Sequence, residues 1–226
     1  MGKTMNFQEH FYSRLASLAA RDTREFPAEV LPESYYPAAV LLAFWPVADG
    51  TVKVVFTRRT ETLPTHRGQM SFPGGRLQEE DASLENTALR EAREELGIAP
   101  EAVRIMGRLD DAWSAFGHRV VPVVGWLERQ PVFEPDPGEV AEVVIADVQT
   151  LLRPETSCTH EVVHNGLRHS THAFNWDGGY VWGMTADILL ELFLWINGSP
   201  SNRCDIRLAN LQRFMNRQQA AGPVSK

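Results

Sequence analysis

The sequence feature that most constrains the fold is a short helix with a dense group of carboxylates. Residues 72–98 read FPGGRLQEEDASLENTALREAREELGI. Aspartate is a favoured N-cap and glycine often ends a helix, so we predict a helix over residues 82–96, capped by Asp81 and ended by Gly97. Apolar residues at helical spacing predict a face that packs against the rest of the molecule: Leu84, Ala88, Ala92 and Leu96.

Three glutamates share a different face of this helix. Glu91, Glu94 and Glu95 stand at i, i+3 and i+4, so their carboxylates project together. The cluster is unfavourable because like charges repel and because the C-terminal end of a helix dipole is negative. A hard divalent cation reverses both penalties, and Arg90 is placed to brace the carboxylates. A charge run alone is typical of a solvated helix face, but the Gly-Gly turn before the helix favours a metal-assisted phosphate site.

Apolar and β-branched runs predict a sheet around this helix. We expect strands over residues 38–44, 52–57, 103–109 and 120–127, renewed regular structure over 139–148, and a hairpin over 162–174 that turns at Asn165-Gly166. Further helices are expected over residues 7–20, 185–196 and 205–218. The layout predicts a mixed sheet with helices on its faces. We divide the chain into a domain of residues 37–197 and helical extensions of residues 1–36 and 198–226.

Charge and cysteine content exclude several classes of protein. The net charge of −7 argues against nucleic acid or an anionic membrane as a partner. Cys158 and Cys204 do not make a disulfide framework, and the start of the chain has no apolar signal segment. The most apolar run, residues 188–196, is too short to span a bilayer and contains Glu191. We therefore expect a cytoplasmic protein.

The end of the glutamate helix resembles a family signature. Gly75 and residues 90–98, REAREELGI, resemble the Nudix box of the Nudix hydrolases, which ends Arg-Glu-apolar-x-Glu-Glu-x-Gly-apolar. In two departures, the interval from Gly75 to Arg90 is one residue longer than usual, and Asp81 stands for the family's first glutamate. The resemblance implies an α+β fold, an α/β/α sandwich with a mixed central sheet flanked by helices. It also implies Mg²⁺ or Mn²⁺ as cofactor.

A motif upstream of the box points to a substrate. Residues 55–75, VFTRRTETLPTHRGQMSFPGG, resemble the signature that precedes the box in coenzyme A pyrophosphatases. Thr57, Arg59 and Gly68 fall in register, whereas Pro64 replaces an arginine for which Arg67 is a nearby substitute. The resemblance extends over residues 38–194. It implies a small-molecule substrate, coenzyme A, cleaved to 4′-phosphopantetheine and adenosine 3′,5′-bisphosphate.

The resemblance also implies roles for residues of the box. Glu91 and Glu95 are the expected metal ligands, with the carbonyl of Gly75 as a lesser one. Glu94 is a third ligand or positions the attacking water. Arg90 is expected to orient the glutamates.

The phosphates of the substrate need local cations in an acidic protein. Arg59, His66 and Arg67 are the candidates, together with the Gly74-Gly75 turn. The alternative for each cation is a solvated basic loop.

Several alternatives stay open in the sequence. The general base comes from the box or from Glu139 or Glu142, which otherwise are ordinary exposed acids. Four histidines around the hairpin could bind a transition metal or be surface residues: His160, His164, His169 and His172. Aromatic residues in the same region could floor a nucleotide site or pack in a core or homodimer: Phe174, Trp176, Tyr180 and Trp182. The alternative substrates are ADP-ribose or a dinucleoside polyphosphate, and a non-catalytic nucleotide-sensing module is a further alternative.

Overall fold

A computed structural model describes residues 5–61, 68–114, 117–164, 167–201, 203, 205–207 and 211. The α-helices in this part of the chain are α1 (Phe7–Ala16), α2 (Leu84–Leu96), α3 (Val148–Leu151) and α4 (Met184–Ile196). The strands are β1 (Tyr36–Pro46), β2 (Val52–Arg59), β3 (Met70–Ser71), β4 (Gly74–Arg76), β5 (Arg104–Arg108), β6 (Ala112–Trp113), β7 (His118–Trp126), β8 (Val140–Asp147), β9 (Ser157–His164), β10 (Leu167–Trp176) and β11 (Gly179–Trp182).

Strand β1 lies at the centre of a mixed eight-stranded sheet. It runs parallel to β7 and antiparallel to β2 and β4. β2 pairs with the end of β1, at Phe44, Trp45 and Pro46, whereas β4 pairs with its beginning, at Ala38 and Val40. β2 also pairs with β3 and β8. Because β1 changes its neighbour along its length, β2 and β4 separate, and the Gly-Gly turn lies at this separation.

Alternate residues of β1 face two different cores, as the pleat of a strand requires. Ala39 and Leu41 belong to the core that includes α2. Ala38 and Leu42 belong to the core on the other side, formed with α1 and α4. This arrangement confirms the predicted α/β/α sandwich with a mixed central sheet.

The prediction for helix α2 is wrong at its N-terminal end and correct at its C-terminal end. The N-cap is Ser83, whose hydroxyl accepts from a backbone N–H of the first turn, so the predicted cap at Asp81 is wrong. Asp81 does not cap because its carboxylate accepts hydrogen bonds from the Thr87 hydroxyl and from Arg90. The C-terminal end is as predicted, since Gly97 ends the helix with a φ of 71° in the left-handed region.

Strands β9, β10 and β11 form a second, antiparallel sheet. β9 and β10 are the predicted hairpin, while its turn, residues 165–166, lies outside the described residues. Phe174 is buried and packs edge to face on Phe193 of α4, with ring centroids 5.7 Å apart. Trp176 packs near Phe56 of β2 at 5.8 Å. These two aromatic residues therefore join the second sheet to the core.

The N-terminal helix packs into the same core as the sheet. Phe11 and Leu15 of α1 are fully buried there. The Trp195 indole N–H donates to the Arg14 carbonyl at 3.1 Å, and Arg14 Nε donates to the Trp195 carbonyl at 3.2 Å. The division into a domain and two extensions stays a prediction.

Part of the last predicted helix is visible. Residues 205–207 and 211 are helical, and the rest of residues 205–218 lies outside the described residues. Within the part of the chain that the structure describes, no helix is long and apolar enough to cross a membrane.

Candidate functional site

Gly74 and Gly75, predicted as a turn, begin strand β4 and lie in close contact with β1 and helix α2 respectively. A Cβ on Gly74 would lie 2.7 Å from Val40 Cα, and a Cβ on Gly75 would lie 2.5 Å from Glu91 Cδ. Contacts this close do not occur for real Cβ atoms, so Gly74, which meets the backbone of β1, requires glycine. A side chain at position 75 would displace the Glu91 carboxylate. The Glu91 carboxylate therefore lies directly against the backbone of Gly75.

Arg90 fixes the acidic groups around it. Its Nη1 donates to Glu91 Oε1 at 2.9 Å and to Glu94 Oε2 at 2.7 Å. Its Nε and Nη2 donate to the two Asp81 oxygens at 3.0 Å, and Nη2 also donates to the Arg76 carbonyl at 3.0 Å. These bonds raise the pKa of Arg90 and hold the pKa of Asp81 below its usual value. The predicted bracing of Glu91 and Glu94 by Arg90 is present in the structure.

Two of the groups that hold Arg90 are not predicted from the sequence. The sequence predicts Asp81 as a helix cap instead, and the Arg76 carbonyl leaves no pattern. Signals for Asp81 are its place in the loop that leads into a helix bearing an arginine, and its position at the family's first glutamate.

Glu95 is the most deeply buried of the three glutamates. It is 4% exposed, and burial together with the nearby charge of Glu91 raises its pKa to about 8, although it accepts a hydrogen bond from the Gly74 N–H. Burial also raises the pKa of Glu91, against the opposing effect of the Arg90 hydrogen bond. The chain therefore brings two carboxylates into a site of low polarity with too little positive charge to stabilise both.

The buried pair fits a hard divalent cation. Glu94 lies further out, with a side chain that is 55% exposed. Within the described residues, no three His, Cys, Asp or Glu side chains already converge as a complete metal cage. The fit is to a partial set, Glu91 and Glu95 with the Gly75 carbonyl. Mg²⁺ is usually held in this way, by one or two carboxylates together with water and phosphate oxygens.

Two charged residues outside α2, Arg59 and Glu139, lie near the same pair of glutamates. The charge of Glu139 raises the pKa of Glu95, and the charge of Arg59 opposes it, so both lie near this carboxyl. Arg59 ends β2 opposite Val140, and its buried Nε has no hydrogen-bond partner among the described residues. Glu142 instead accepts from Arg58 Nε at 2.7 Å. Of the two candidates for the general base, Glu139 thus lies close enough for its charge to act on Glu95, and Glu142 is ion-paired with Arg58.

Other predicted groups are outside the described part of the chain or outside this site. His66 and Arg67 lie outside the described residues. His160 Nδ1 is 2.6 Å from the Tyr180 hydroxyl, and the His160 ring stacks on Trp182 at 4.4 Å, so His160 is held by aromatic packing. The side chains of two further hairpin histidines, at positions 164 and 169, also lie outside what the structure describes.

Comparison with known proteins adds the following findings. The family model described as NUDIX domain matches residues 37–165. Nudix hydrolase 22, chloroplastic, of Arabidopsis thaliana is 38% identical over 174 residues, which are 74% of this chain and 58% of that protein. The uncharacterized Nudix hydrolase NudL of Pectobacterium atrosepticum is 35% identical over 176 residues, 75% of this chain and 91% of that protein. A crystal structure of a MutT/nudix family protein from Enterococcus faecalis aligns over 96% of this chain and 94% of that one, with a TM-score of 0.48 and 14% identity.

Proposed function

This chain belongs to the Nudix family, and on that premise we propose that it hydrolyses the diphosphate of coenzyme A or its derivatives with Mg²⁺ or Mn²⁺. The products are 4′-phosphopantetheine and adenosine 3′,5′-bisphosphate. The observation that supports a metal-dependent hydrolase is the pair formed by the buried Glu95 and the partly buried Glu91, whose carboxylates lie against the backbone of Gly74 and Gly75. These two carboxylates would hold a divalent cation, whose charge would offset their mutual repulsion and that of the diphosphate.

Residues of the chain have separate roles in this mechanism. Glu91, Glu95 and the Gly75 carbonyl would hold the metal, which would supply positive charge against the diphosphate and lower the pKa of water. Arg90 fixes the Glu91 carboxylate through its bond at 2.9 Å. The exposed Glu94 is placed to position the attacking water or to add a ligand.

Proton removal from the attacking water is assigned to an acid near the glutamate pair. Glu139 is the better of the two candidates outside the box, because its charge acts on both Glu91 and Glu95, whereas Glu142 is ion-paired with Arg58. A general base must lie within hydrogen-bond reach of the water, directly or through a second water.

The substrate assignment depends on the motif of residues 55–75. Arg59 supports it, since this guanidinium lies near Glu95 and its Nε has no partner among the described residues. We propose that Arg59, with His66 and Arg67, holds the 3′-phosphate or the diphosphate of the coenzyme. A charged hydrogen bond to a phosphate contributes about 1.5–3 kcal/mol.

A substrate panel with identification of the products tests the proposal. With Mg²⁺, we expect cleavage of coenzyme A, none in excess chelator, and a kcat/KM for dephospho-coenzyme A that is lower by about one to two powers of ten. Arg59→Ala should narrow this difference between the two substrates, and Arg129→Ala, which removes an exposed cation elsewhere, should not. Turnover in excess chelator would contradict the metal assignment. Equal kcat/KM for the two coenzymes, or faster cleavage of ADP-ribose, would contradict the substrate.

One observation favours a second candidate. Pro64 occupies the position of an arginine in the coenzyme A motif. A chain without that cation is suited to a nucleoside diphosphate compound that lacks a third phosphate, such as ADP-ribose. The same panel distinguishes the two substrates directly.

A further inference from the structure

Three side chains form an exposed cluster beside the Gly-Gly turn, which we call the edge platform: Tyr36, Arg76 and His118. The Arg76 guanidinium carbon lies 4.0 Å from the centre of the Tyr36 ring. Arg76 Nε donates to His118 Nε2 at 3.0 Å, and the His118 ring centre is 5.6 Å from that of Tyr36. Tyr36 is 52% exposed. The platform thus presents a flat cation, backed by an aromatic ring, to solvent.

Hydrogen bonding leaves Arg76 as the only charged member of the platform. Because His118 Nε2 accepts from Arg76, the ring proton of a neutral His118 is on Nδ1, which lies 3.0 Å from the Ser114 hydroxyl. The contacts of Arg76 with other described residues include no carboxylate, although the chain has a net charge of −7. Arg76 is exposed, and among the described residues Tyr36 is the one ring that lies against a face of its guanidinium. A second planar group can stack on the opposite face of such a guanidinium.

The platform adjoins the glutamate pair through the backbone. Arg76 follows Gly75 in β4, and its carbonyl accepts from the same Arg90 that bonds Glu91. Gly75 is opposite Ala39, on the α2 side of the sheet, whereas Arg76 is opposite Ala38, on the other side. Among the described strands β4 pairs only with β1. The glutamates and the Arg76 side chain thus lie on opposite sides of the same short strand, so the proposal requires a substrate that extends around β4.

We propose that the edge platform binds the purine base of the substrate, stacked on the open face of the Arg76 guanidinium. Guanidinium and aromatic planes are the groups on which proteins stack bases. The pantetheine arm has no aromatic ring, so the platform distinguishes the nucleotide half of the substrate from the other half. In the absence of substrate, His118 and Tyr36 already fix the orientation of the Arg76 guanidinium. This assignment rests on the proposed function in that the ligand is a nucleoside diphosphate derivative.

Calorimetric titration of the two products separately, at one Mg²⁺ concentration, tests the assignment. We expect Arg76→Ala and Tyr36→Ala each to weaken the binding of adenosine 3′,5′-bisphosphate by roughly ten- to a hundredfold. Binding of 4′-phosphopantetheine should not change. Arg76→Lys keeps the charge but loses the plane, and it should weaken the nucleotide nearly as much as Arg76→Ala. Arg93→Ala, which removes an exposed arginine of α2, is the matched control and should change neither affinity.

Three results would contradict base stacking on the platform. The first is an unchanged nucleotide affinity in Arg76→Ala. The others are an equal loss of affinity for both products, and full recovery of the nucleotide affinity in Arg76→Lys. The first indicates surface packing only, and the other two indicate a phosphate contact. The same measurements distinguish failure of the proposed function from failure of the platform. If the wild type binds AMP in an Arg76-dependent manner but does not cleave coenzyme A, only the proposed function fails. If it cleaves coenzyme A while nucleotide affinity is indifferent to Arg76, only the platform fails.

Discussion

Two buried glutamates of this protein have opposite electrostatic surroundings. Glu191 of α4 is fully buried, and its oxygens accept hydrogen bonds from Arg21 and Arg207. Glu95 of α2 is almost as buried, but its strongest charged neighbour is the carboxylate of Glu91. The chain thus supplies cations to one glutamate and a second anion to the other. The difference teaches that burial alone does not identify a functional acid, whereas burial with too weak an internal countercharge indicates a place for an external cation.

The surroundings of Glu191 join distant parts of the chain. The Asp110 N–H donates to Glu191 Oε1 at 3.0 Å, and Arg21 pairs with the Asp110 carboxylate at 2.9 Å. Arg207 donates to the Asp110 carbonyl at 2.9 Å and also pairs with Asp187. A buried ionic group needs both charge compensation and hydrogen bonds. The network compensates the charge of Glu191, although Arg21 Nη1 and Arg207 Nη2 have no hydrogen-bond partner among the described residues.

The largest expected effect is on the stability of the Glu191 network. Glu191→Gln removes the charge that compensates Arg21 and Arg207, so we expect the free energy of unfolding to fall by about 3–5 kcal/mol in urea titrations. The kcat/KM of the folded fraction should stay at the wild-type value. Asp205→Asn is the control, because its partner Arg24 and Asp205 itself are half exposed, and its unfolding midpoint should not move. Wild-type stability in Glu191→Gln would show that the cations around Glu191 do not depend on its charge, which would contradict the contrast with Glu95.

The second effect is on turnover. Glu95→Gln keeps the shape of the side chain but removes one charge from the proposed metal ligands, so turnover should fall by roughly a hundredfold or more. Glu101→Gln changes an exposed glutamate after the same helix and should be neutral. A folded Glu95→Gln enzyme with near-wild-type turnover would show that Glu95 does not hold the metal.

The effect that is smallest per pH unit is a dependence of stability on pH in the metal-free protein. The pKa of Glu95 is about 8 in the folded chain, above the ordinary value of 4.5 for a glutamate. The folded state therefore binds more protons between these values, and its free energy of unfolding falls as pH rises through this window, by at most about 1.4 kcal/mol per pH unit. Thermal unfolding in chelator should show this fall for the wild type relative to Glu95→Gln. Mg²⁺ at pH 8 should restore the wild-type stability, and parallel pH curves for the two proteins would contradict the assignment.

Local patterns account for the parts of the fold that the sequence predicts well. Helical spacing places α2 and its apolar stripe, and Gly97 ends the helix because only glycine readily adopts its left-handed φ. The Arg90 bonds to Glu91 and Glu94 also follow from spacing within one helix.

Contacts between distant residues account for what the sequence does not predict. Asp81 and Ser83 are both good caps, and the choice between them is made by the bonds of Asp81 to Arg90. The burial of Glu95 depends on where β4 and β8 lie, which helical spacing does not contain. The platform pairs Arg76 with His118, 42 residues away.

The reciprocal hydrogen bonds of Arg14 and Trp195 have a consequence for synthesis on the ribosome. They connect residues 181 positions apart, so α1 leaves the ribosome long before its partner helix exists. Until α4 follows, the apolar face of α1, with Phe11 and Leu15, lacks its final cover. Exposed apolar surface of this kind makes a partly made chain prone to aggregation and a substrate for chaperones. Helix α1 therefore completes its packing only after α4 has been synthesised.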